Sequence, residues 1–543
     1  MLDKLRTNVR RARLAASAIG ASGLVGAMRP TSFASFVAQI AGKPRNPSNI
    51  LKLHALNTPD KPAIVEGDRR VTWAELEQRV NRLATALAAR GVRPGSRVAL
   101  MMRNCIEFIE IQWATTRLGA LSVQIGYRLK PPEVAYILGN AEPAILFCQP
   151  VDEAVAREAR AAAGKPADDA LIVLGPAYEA LLATGHPTEP PPAAGRKEES
   201  SGGVVIYTSG TTGRPKGASR DFKIAMHESV SDFLRQIKVR HDDRHLCVCP
   251  LYHSAAPAFV AFVFGVGGTV YLMEHFEPEA ALELIAREKI TSSFMVPTMM
   301  ARLAAAAAGH DTSSLRFLAA GAAPLPTETA RRVEAAFGPI LYNFYGATET
   351  GLVTLALPGE HTARPGTIGR VLAGNQLRLL DEQGREVGPG EVGELYVRNS
   401  MLVNGYHRDR AATDKAMRDG FFSVGDMARI DADGFVYLAD RKHDMVISGG
   451  VNIYPLEIEQ RLHEHPGVLE VAVVGIPDPE WGEALKAFVV RRPGAEVGAD
   501  ELRDFCKLAL ANFKCPRQYA FLDALPRNPT GKVLKRELRA LVT

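Results

Sequence analysis

Between Tyr207 and Gly217 the chain reads YTSGTTGRPKG, directly after the apolar run GVVI. Glycines such as Gly210 and Gly213 let a backbone approach a ligand closely. The hydroxyls of Thr208, Ser209, Thr211 and Thr212 and the exposed amides donate hydrogen bonds, and Lys216 adds a point charge. Holding phosphates is the chemistry this suits. It is not the loop of kinases and GTPases, whose pattern runs Gly-Lys-Ser/Thr, because Pro215 precedes Lys216 and Gly217 follows it. An ordinary polar turn accounts for roughly four or five such residues, seldom for the whole run.

Three further clusters could join it. In YNFYGATETG, Thr348 and Glu349 follow an aromatic residue and a glycine. Mg²⁺ commonly takes one or two protein carboxylates and leaves the rest of its shell to phosphate and water, although a glutamate in a loop is ordinarily just solvated. In FFSVGDMARID, Asp426 follows a glycine; two carboxylate oxygens can accept both hydroxyls of a ribose, while capping a turn is the default for such an aspartate. PRNPTGKVLKREL sets Lys532 on a turn before a basic helix, and taken alone it reads as surface.

The elements that must position these residues alternate. RRVTWAELEQRVNRLATALAARGV begins as a strand, has Thr72 and Glu75 at capping-box spacing, and then carries Leu76, Val80, Leu83 and Leu87 on one helical face. RVALMMRN reads as a buried strand, EFIEIQWATTRLG as a helix and ALSVQIG as a strand again. That order implies an α/β fold with a mostly parallel sheet covered on both faces. From about Gly366 to Tyr437, short strands broken by glycine turns predict a β-rich, antiparallel part. After DRKHDMVISGG helices and strands alternate once more, so a domain boundary is expected near Arg441, with a small C-terminal domain beyond it. The expected organisation is a leader over 1–45, an N-terminal domain over 46–440, a hinge at 441–443 and a C-terminal domain over 444–543.

At 543 residues, 46% hydrophobic and 23% charged, the chain can bury a large core in more than one domain. Of the net charge of +5, nearly all sits in MLDKLRTNVRRARL, and the near-neutral remainder argues against nucleic acid as a partner. Six cysteines are scattered without a paired CxxC, which argues against structural zinc and for reduced thiols in a cytoplasmic protein. The basic start is too short and too weakly apolar for a membrane span. Leu2, Leu5, Val9 and Ala12 recur at helical spacing between arginines, which suits a helix on an anionic membrane surface such as the inner face of a membrane. A solvated leader is the equal alternative.

In order and spacing, the four clusters resemble the adenylate-forming superfamily of acyl-CoA synthetases, aryl-CoA ligases, luciferases and peptide-synthetase adenylation domains. The resemblance runs from about residue 50 to the C-terminus. PLYHSAA around His253, GAAPL from Gly321, SGGVNIYPLEIE from Ser448 and PDPEWGEALKAFVV from Pro477 belong to it as well. It implies two steps: a carboxylate attacks the α-phosphate of ATP, giving acyl-AMP and pyrophosphate, and a thiol then gives a thioester. It implies ATP, Mg²⁺ and coenzyme A, with the loop Thr208 to Gly217 on the β- and γ-phosphates and Glu349 on the metal. Thr348 would touch the α-phosphate, Asp426 and Arg441 the ribose, and Tyr345 the adenine; Asn343, Gly346 and Gly321 join the nucleotide-binding set, and His253 the catalytic one. Lys532 would bridge the attacking carboxylate and the α-phosphate. After adenylation the C-terminal domain would rotate, withdrawing Lys532 and bringing Gly449 and Gly450 to line a pantetheine tunnel. The hinge position holds His443 where the family commonly has Asp or Lys.

Small residues in HSAAPAFVAF and AAGAAPL, together with the leader, make a medium- or long-chain fatty acid the first expectation for the small-molecule acid. An aromatic acid is the second. Ligation to an acyl carrier protein and β-lactone formation use the same core, and a regulator that binds nucleotide without turnover is the reading from another class. Homodimerisation is left open.

Overall fold

The computed structural model describes residues 2–41, 46–190, 202–208, 215–222, 228–448, 451–528 and 532–541. The alternation seen in the sequence becomes a mixed α/β architecture with a large N-terminal domain of sheets and helices and a smaller C-terminal domain. In the largest sheet, of fifteen strands, Pro62–Glu66, Thr269–Leu272, Arg244–Cys247, Ser292–Met295, Phe317–Ala320 and Leu341–Ala347 run parallel to their neighbours. Three of these strands are buried at every position, as a sheet covered by helices on both faces requires. Beyond Leu341–Ala347 the same sheet turns antiparallel through Gly351–Ala356, Thr367–Val371, Phe435–Arg441 and Asp426–Ile430, the β-rich part.

A second, seven-stranded sheet orders Gly405–Tyr406, Lys216–Asp221, Gly203–Thr208, Leu121–Ile125, Arg97–Met101, Ile145–Cys148 and Leu171–Val173. Its helices begin where the sequence says they should. Thr72 accepts from the Glu75 amide and Glu75 accepts from the Thr72 amide, so helix Trp73–Ala89 opens on a complete capping box. Trp73, fully buried, meets Phe264 edge-on at 4.8 Å between ring centroids, tying this helix to Ala255–Val266 of the neighbouring layer.

The last strand of the large sheet ends at Arg441, and the first strand of the small domain, Val446–Ser448, begins five residues later. Val468–Asp478 and Gly482–Arg491 form the small domain's central hairpin, with Gln518–Phe521 added parallel to its second strand. Separate buried clusters fill the two faces of this sheet, one around Ile458, Leu462 and Val489, the other around Val474, Phe488 and Leu538.

The leader is helical over Leu2–Ala21 and again over Pro30–Ile40, and it is docked, not solvated throughout. Glu228, almost fully buried at the start of helix Glu228–Ile237, holds Arg11 Nε at 3.2 Å and Arg10 beside it. A buried carboxylate needs such partners, so two of the leader's arginines pair with the body while their side chains stay partly exposed. No helix among the described residues is long and apolar enough to cross a membrane.

Candidate active site

Pairing in the antiparallel part brings the distant site residues together. Leu341–Ala347 and Gly351–Ala356 form a hairpin whose tight turn carries Thr348 and Glu349, closed by the Ala347 amide on Thr350 Oγ1 at 3.1 Å. Gly346 cannot be replaced there, because a Cβ would lie 2.0 Å from the Gly351 carbonyl oxygen. In the adjoining hairpin Asp426 is the cross-strand partner of Arg441, so residues fifteen apart in sequence stand opposite each other, with Arg441 Nε 3.5 Å from Asp426 Oδ1.

Asp426 is buried and already engaged. Tyr345 donates its hydroxyl to Asp426 Oδ2 at 2.6 Å, and burial, followed by the Asp426 charge, pushes that phenol well above its ordinary range. The Tyr345 ring shares a buried cluster with Val353, Ile368 and Ala428. Each carboxylate oxygen keeps a second lone-pair direction, so Asp426 can accept ribose hydroxyls without releasing Tyr345. Asn343, one turn of the pleat earlier, is buried, and its amide reaches the Thr367 carbonyl at 3.4 Å.

Glu349 is joined to the phosphate hairpin by a residue that the motifs do not mark. Tyr406 donates to Glu349 Oε1 at 3.0 Å, and its two-residue strand pairs with Lys216–Asp221 in the register Tyr406 to Ala218. Lys216 Nζ sits 5.1 Å from the centre of the same ring. Arg220 is the other omission. Strand periodicity puts it on the same face as Lys216, and its guanidinium donates to the Thr348 carbonyl at 2.6 Å. Burial lowers its pKa to about 10, opposed by the Glu349 charge. The alternation K-G-A-S-R after the loop was the available signal; Tyr406 had none, since only sheet pairing delivers it. Thr208 lies opposite Lys216 in the hairpin, while Ser209, Gly210, Thr211, Thr212 and Gly213, like Gly449 and Gly450, lie outside the described residues.

Lys532, far away in sequence, arrives at this group. Its backbone is held by a two-way contact with Asn528, the Lys532 amide donating to the Asn528 side chain and the Asn528 amide to the Lys532 carbonyl, each at 2.9 Å. The ammonium is pushed below the usual lysine range, first by desolvation and then by Arg441, with Asp426 and Glu349 pulling the other way. The residue keeps solvent access, so this desolvation is that of a crowded cleft and not of a sealed core. The same charge acts on His253, whose pKa falls to about 3 through burial, then Lys532, then Arg128. His253 Nε2 is buried without a hydrogen-bond partner among the described residues. A neutral imidazole between two cations is no general acid at neutral pH; it can accept or wall. Beside it Ser254 Oγ lies 3.2 Å from Thr348 Oγ1. A Cβ on Gly321 would come within 2.7 Å of the Phe344 ring.

The donors around Glu349 fit one Mg²⁺ that completes its shell with phosphate and water. They offer a single carboxylate with one oxygen taken by Tyr406, and no group of three or more His, Cys, Asp or Glu able to enclose an ion exists among the described residues.

The AMP-binding enzyme signature matches residues 51–407, and the AMP-binding enzyme C-terminal domain matches 457–532. The chain belongs to the AMP-binding enzyme family. It is 38% identical over 486 residues to a feruloyl-CoA synthase of Amycolatopsis sp, covering 89% of this chain and 96% of that protein. It is 34% identical over 497 residues to the long-chain-fatty-acid–CoA ligase FadD13 of Mycobacterium tuberculosis, covering 90% and 97%. Among solved structures, ATP-bound MatB from Rhodopseudomonas palustris superposes with a TM-score of 0.81 at 31% identity, over 91% of this chain and 98% of that one. As an adenylate-forming AMP-binding enzyme the chain uses ATP, Mg²⁺ and coenzyme A.

Proposed function

We propose that this AMP-forming acid–CoA ligase takes an acid with a compact, flat aromatic body, of the aryl or arylpropenoic kind. What supports this is a cluster of buried aromatic rings packed behind the turn that carries Thr348. Helix Ala255–Val266 starts beside Thr348, through Ser254, and its Phe259 and Phe262 meet Phe344 and Phe233. Phe294 closes the group, stacked on Phe259 at 5.1 Å. Phe344 follows Asn343 and precedes Tyr345, so strand alternation sends it away from Asp426 and towards Gly321. Five residues of helix from Ser254 to Phe259 rise about 7.5 Å, a length suited to an aromatic acid and short for a long chain.

In the first step a carboxylate oxygen forms a bond to the α-phosphorus of ATP while the bond to pyrophosphate breaks. Lys532 lies between the two anions and offsets their repulsion; Thr348 and Arg220 hold the turn that faces the α-phosphate, and Asp426 with Arg441 orients the ribose. Glu349 would hold Mg²⁺, which would supply neutralisation of charge on the phosphates. In the second step the thiol sulfur bonds to the acyl carbon, the bond to AMP breaks, and the thiol proton is lost to solvent. The hinge at 441–443 would let the C-terminal domain turn between the steps, with Gly449 and Gly450 then lining the thiol's path.

A medium- or long-chain fatty acid is the second reading, favoured by the apolar residues that the leader exposes and by the similarity to FadD13. Pyrophosphate release measured across benzoate, cinnamate and ferulate and across octanoate to palmitate, with and without coenzyme A, decides between them. The aromatic acids should give kcat/KM at least roughly tenfold higher, a difference of about 1.4 kcal/mol in transition-state binding. A rise in kcat/KM with each added pair of methylenes would instead establish the fatty acid, and AMP release independent of coenzyme A would remove the thiol as acceptor.

A further inference from the structure

We infer that the docked leader forms a membrane-seating surface for an anionic phospholipid bilayer, a property independent of which acid is activated. The leader is built onto the body at several points. Asn57 clamps it with both ends of its amide, accepting from the Arg29 amide at 2.8 Å and donating to the Ala27 carbonyl at 3.1 Å. Ser32 donates to the Leu56 carbonyl at 3.0 Å, and the His241 amide to the Ser22 carbonyl at 3.0 Å. Gly23, with φ +71°, turns the chain against the His241 ring, where a Cβ would lie at 3.0 Å. The ion pairs of Arg10 and Arg11 with Glu228 complete the attachment.

What this attachment leaves outward is unlike the rest of the surface. Of fifteen exposed large apolar side chains among the described residues, five lie in the leader: Val9, Ile19, Val25, Phe33 and Val37. Phe33 and Val37 are four residues apart and share one face of helix Pro30–Ile40, an eleven-residue surface helix without a single charged residue. A helix on a soluble surface normally carries charge on its outer face, so this one is made for a second medium. Charge says which. Residues 1–45 hold eight of the 65 lysines and arginines but only one of the 60 carboxylates, so the leader is +7 and the remainder of the chain −2. Arg29 stands exposed at the start of the uncharged helix, and Arg13 is exposed on the first one. Apolar side chains flanked by cations, on a body of opposite net charge, match an anionic bilayer interface, where the acyl boundary takes the rings and methyls and the headgroups take the arginines.

The experiment is co-sedimentation of the full chain with phosphatidylcholine vesicles and with vesicles containing phosphatidylglycerol, at low and high salt, alongside a measurement of oligomeric mass. The full chain should prefer anionic vesicles by roughly tenfold or more and lose that preference in high salt. Phe33→Asp combined with Val37→Asp should abolish binding, whereas Arg13→Glu and Arg29→Glu should each weaken it about fivefold on anionic vesicles only. All should keep turnover on a soluble acid, which shows that they fold. Equal binding to both vesicle types, or none to either, overturns the inference. So does a dimer that Phe33→Asp dissolves while vesicles remain unbound, since a second copy of the chain would then be the occupant of this face.

Discussion

Lys532 carries the sharpest residue-scale consequence. An ammonium kept below its ordinary range loses its proton at a lower pH than a solvated lysine does. In the proposed mechanism the charged form bridges the carboxylate and the α-phosphate, so formation of acyl-AMP should decline on the alkaline side before an ordinary lysine would titrate. The thiol step, in which the proposed mechanism gives Lys532 no part, should not share that decline. Lys532→Ala should slow acyl-AMP formation roughly a hundredfold, about 3 kcal/mol of transition-state stabilisation, and should abolish the alkaline limb. Synthetic acyl-AMP with coenzyme A, followed for thioester, isolates the second step. Equal loss in both halves would make the lysine structural. His253 behaves oppositely: with a pKa near 3 it stays neutral throughout, so it adds no limb of its own.

At the scale of elements, the strand Leu341–Ala347 divides the site into two sides. Tyr345 faces Asp426, and Phe344 faces the aromatic group and Gly321. The resemblance places Gly321 with the nucleotide, and a Cβ there would meet the Phe344 ring. Gly321→Ala should displace that ring and raise KM for the acid roughly tenfold, leaving KM for ATP within about twofold. Steady-state kinetics with each substrate varied separately checks this, and the reverse pattern would return Gly321 to the nucleotide. The capping box of Trp73–Ala89 was legible from Thr72 and Glu75 because a helix start is a local matter. The packing of Phe259 on Phe294 was not, since those rings come from a helix and a strand that sequence periodicity cannot orient against each other.

Across the whole molecule, ion pairs decide how the small domain sits. Lys535, in the last helix, reaches Glu459 of helix Pro455–His463 at 2.8 Å and Asp440, near the end of strand Phe435–Arg441, at 3.8 Å, and Arg539 reaches Asp444 just past that strand at 2.9 Å. Stability should depend on pH for a different reason. Burial lowers His245 to about 3 and His54 to about 4, so the folded chain excludes protons that the unfolded chain binds near pH 6.5. The stability these residues hold is complete above pH 6.5 and is lost as pH falls towards their folded values. By pH 5 each accounts for about 2 kcal/mol. Urea midpoints measured between pH 7 and pH 5 should fall, and His245→Phe should make that fall shallower; an unchanged slope would mean that His245 is not held neutral.

The sequence by itself determined the chemistry on offer and its order along the chain. Loop, Glu349, Asp426 and Lys532 announce themselves because glycine, hydroxyl and charged residues in turns leave a local trace, and so does the strand–helix alternation that makes the fold α/β. Tertiary structure alone decided which of them meet. Asp426 faces Arg441 through strand register, and Tyr406 reaches Glu349 because a two-residue strand pairs across to Lys216–Asp221. It also paired Arg10 and Arg11 with Glu228, because Glu228 is buried and a buried carboxylate needs a cation. Register, burial and pairing over hundreds of residues depend on the whole set of contacts, and no window of sequence contains them.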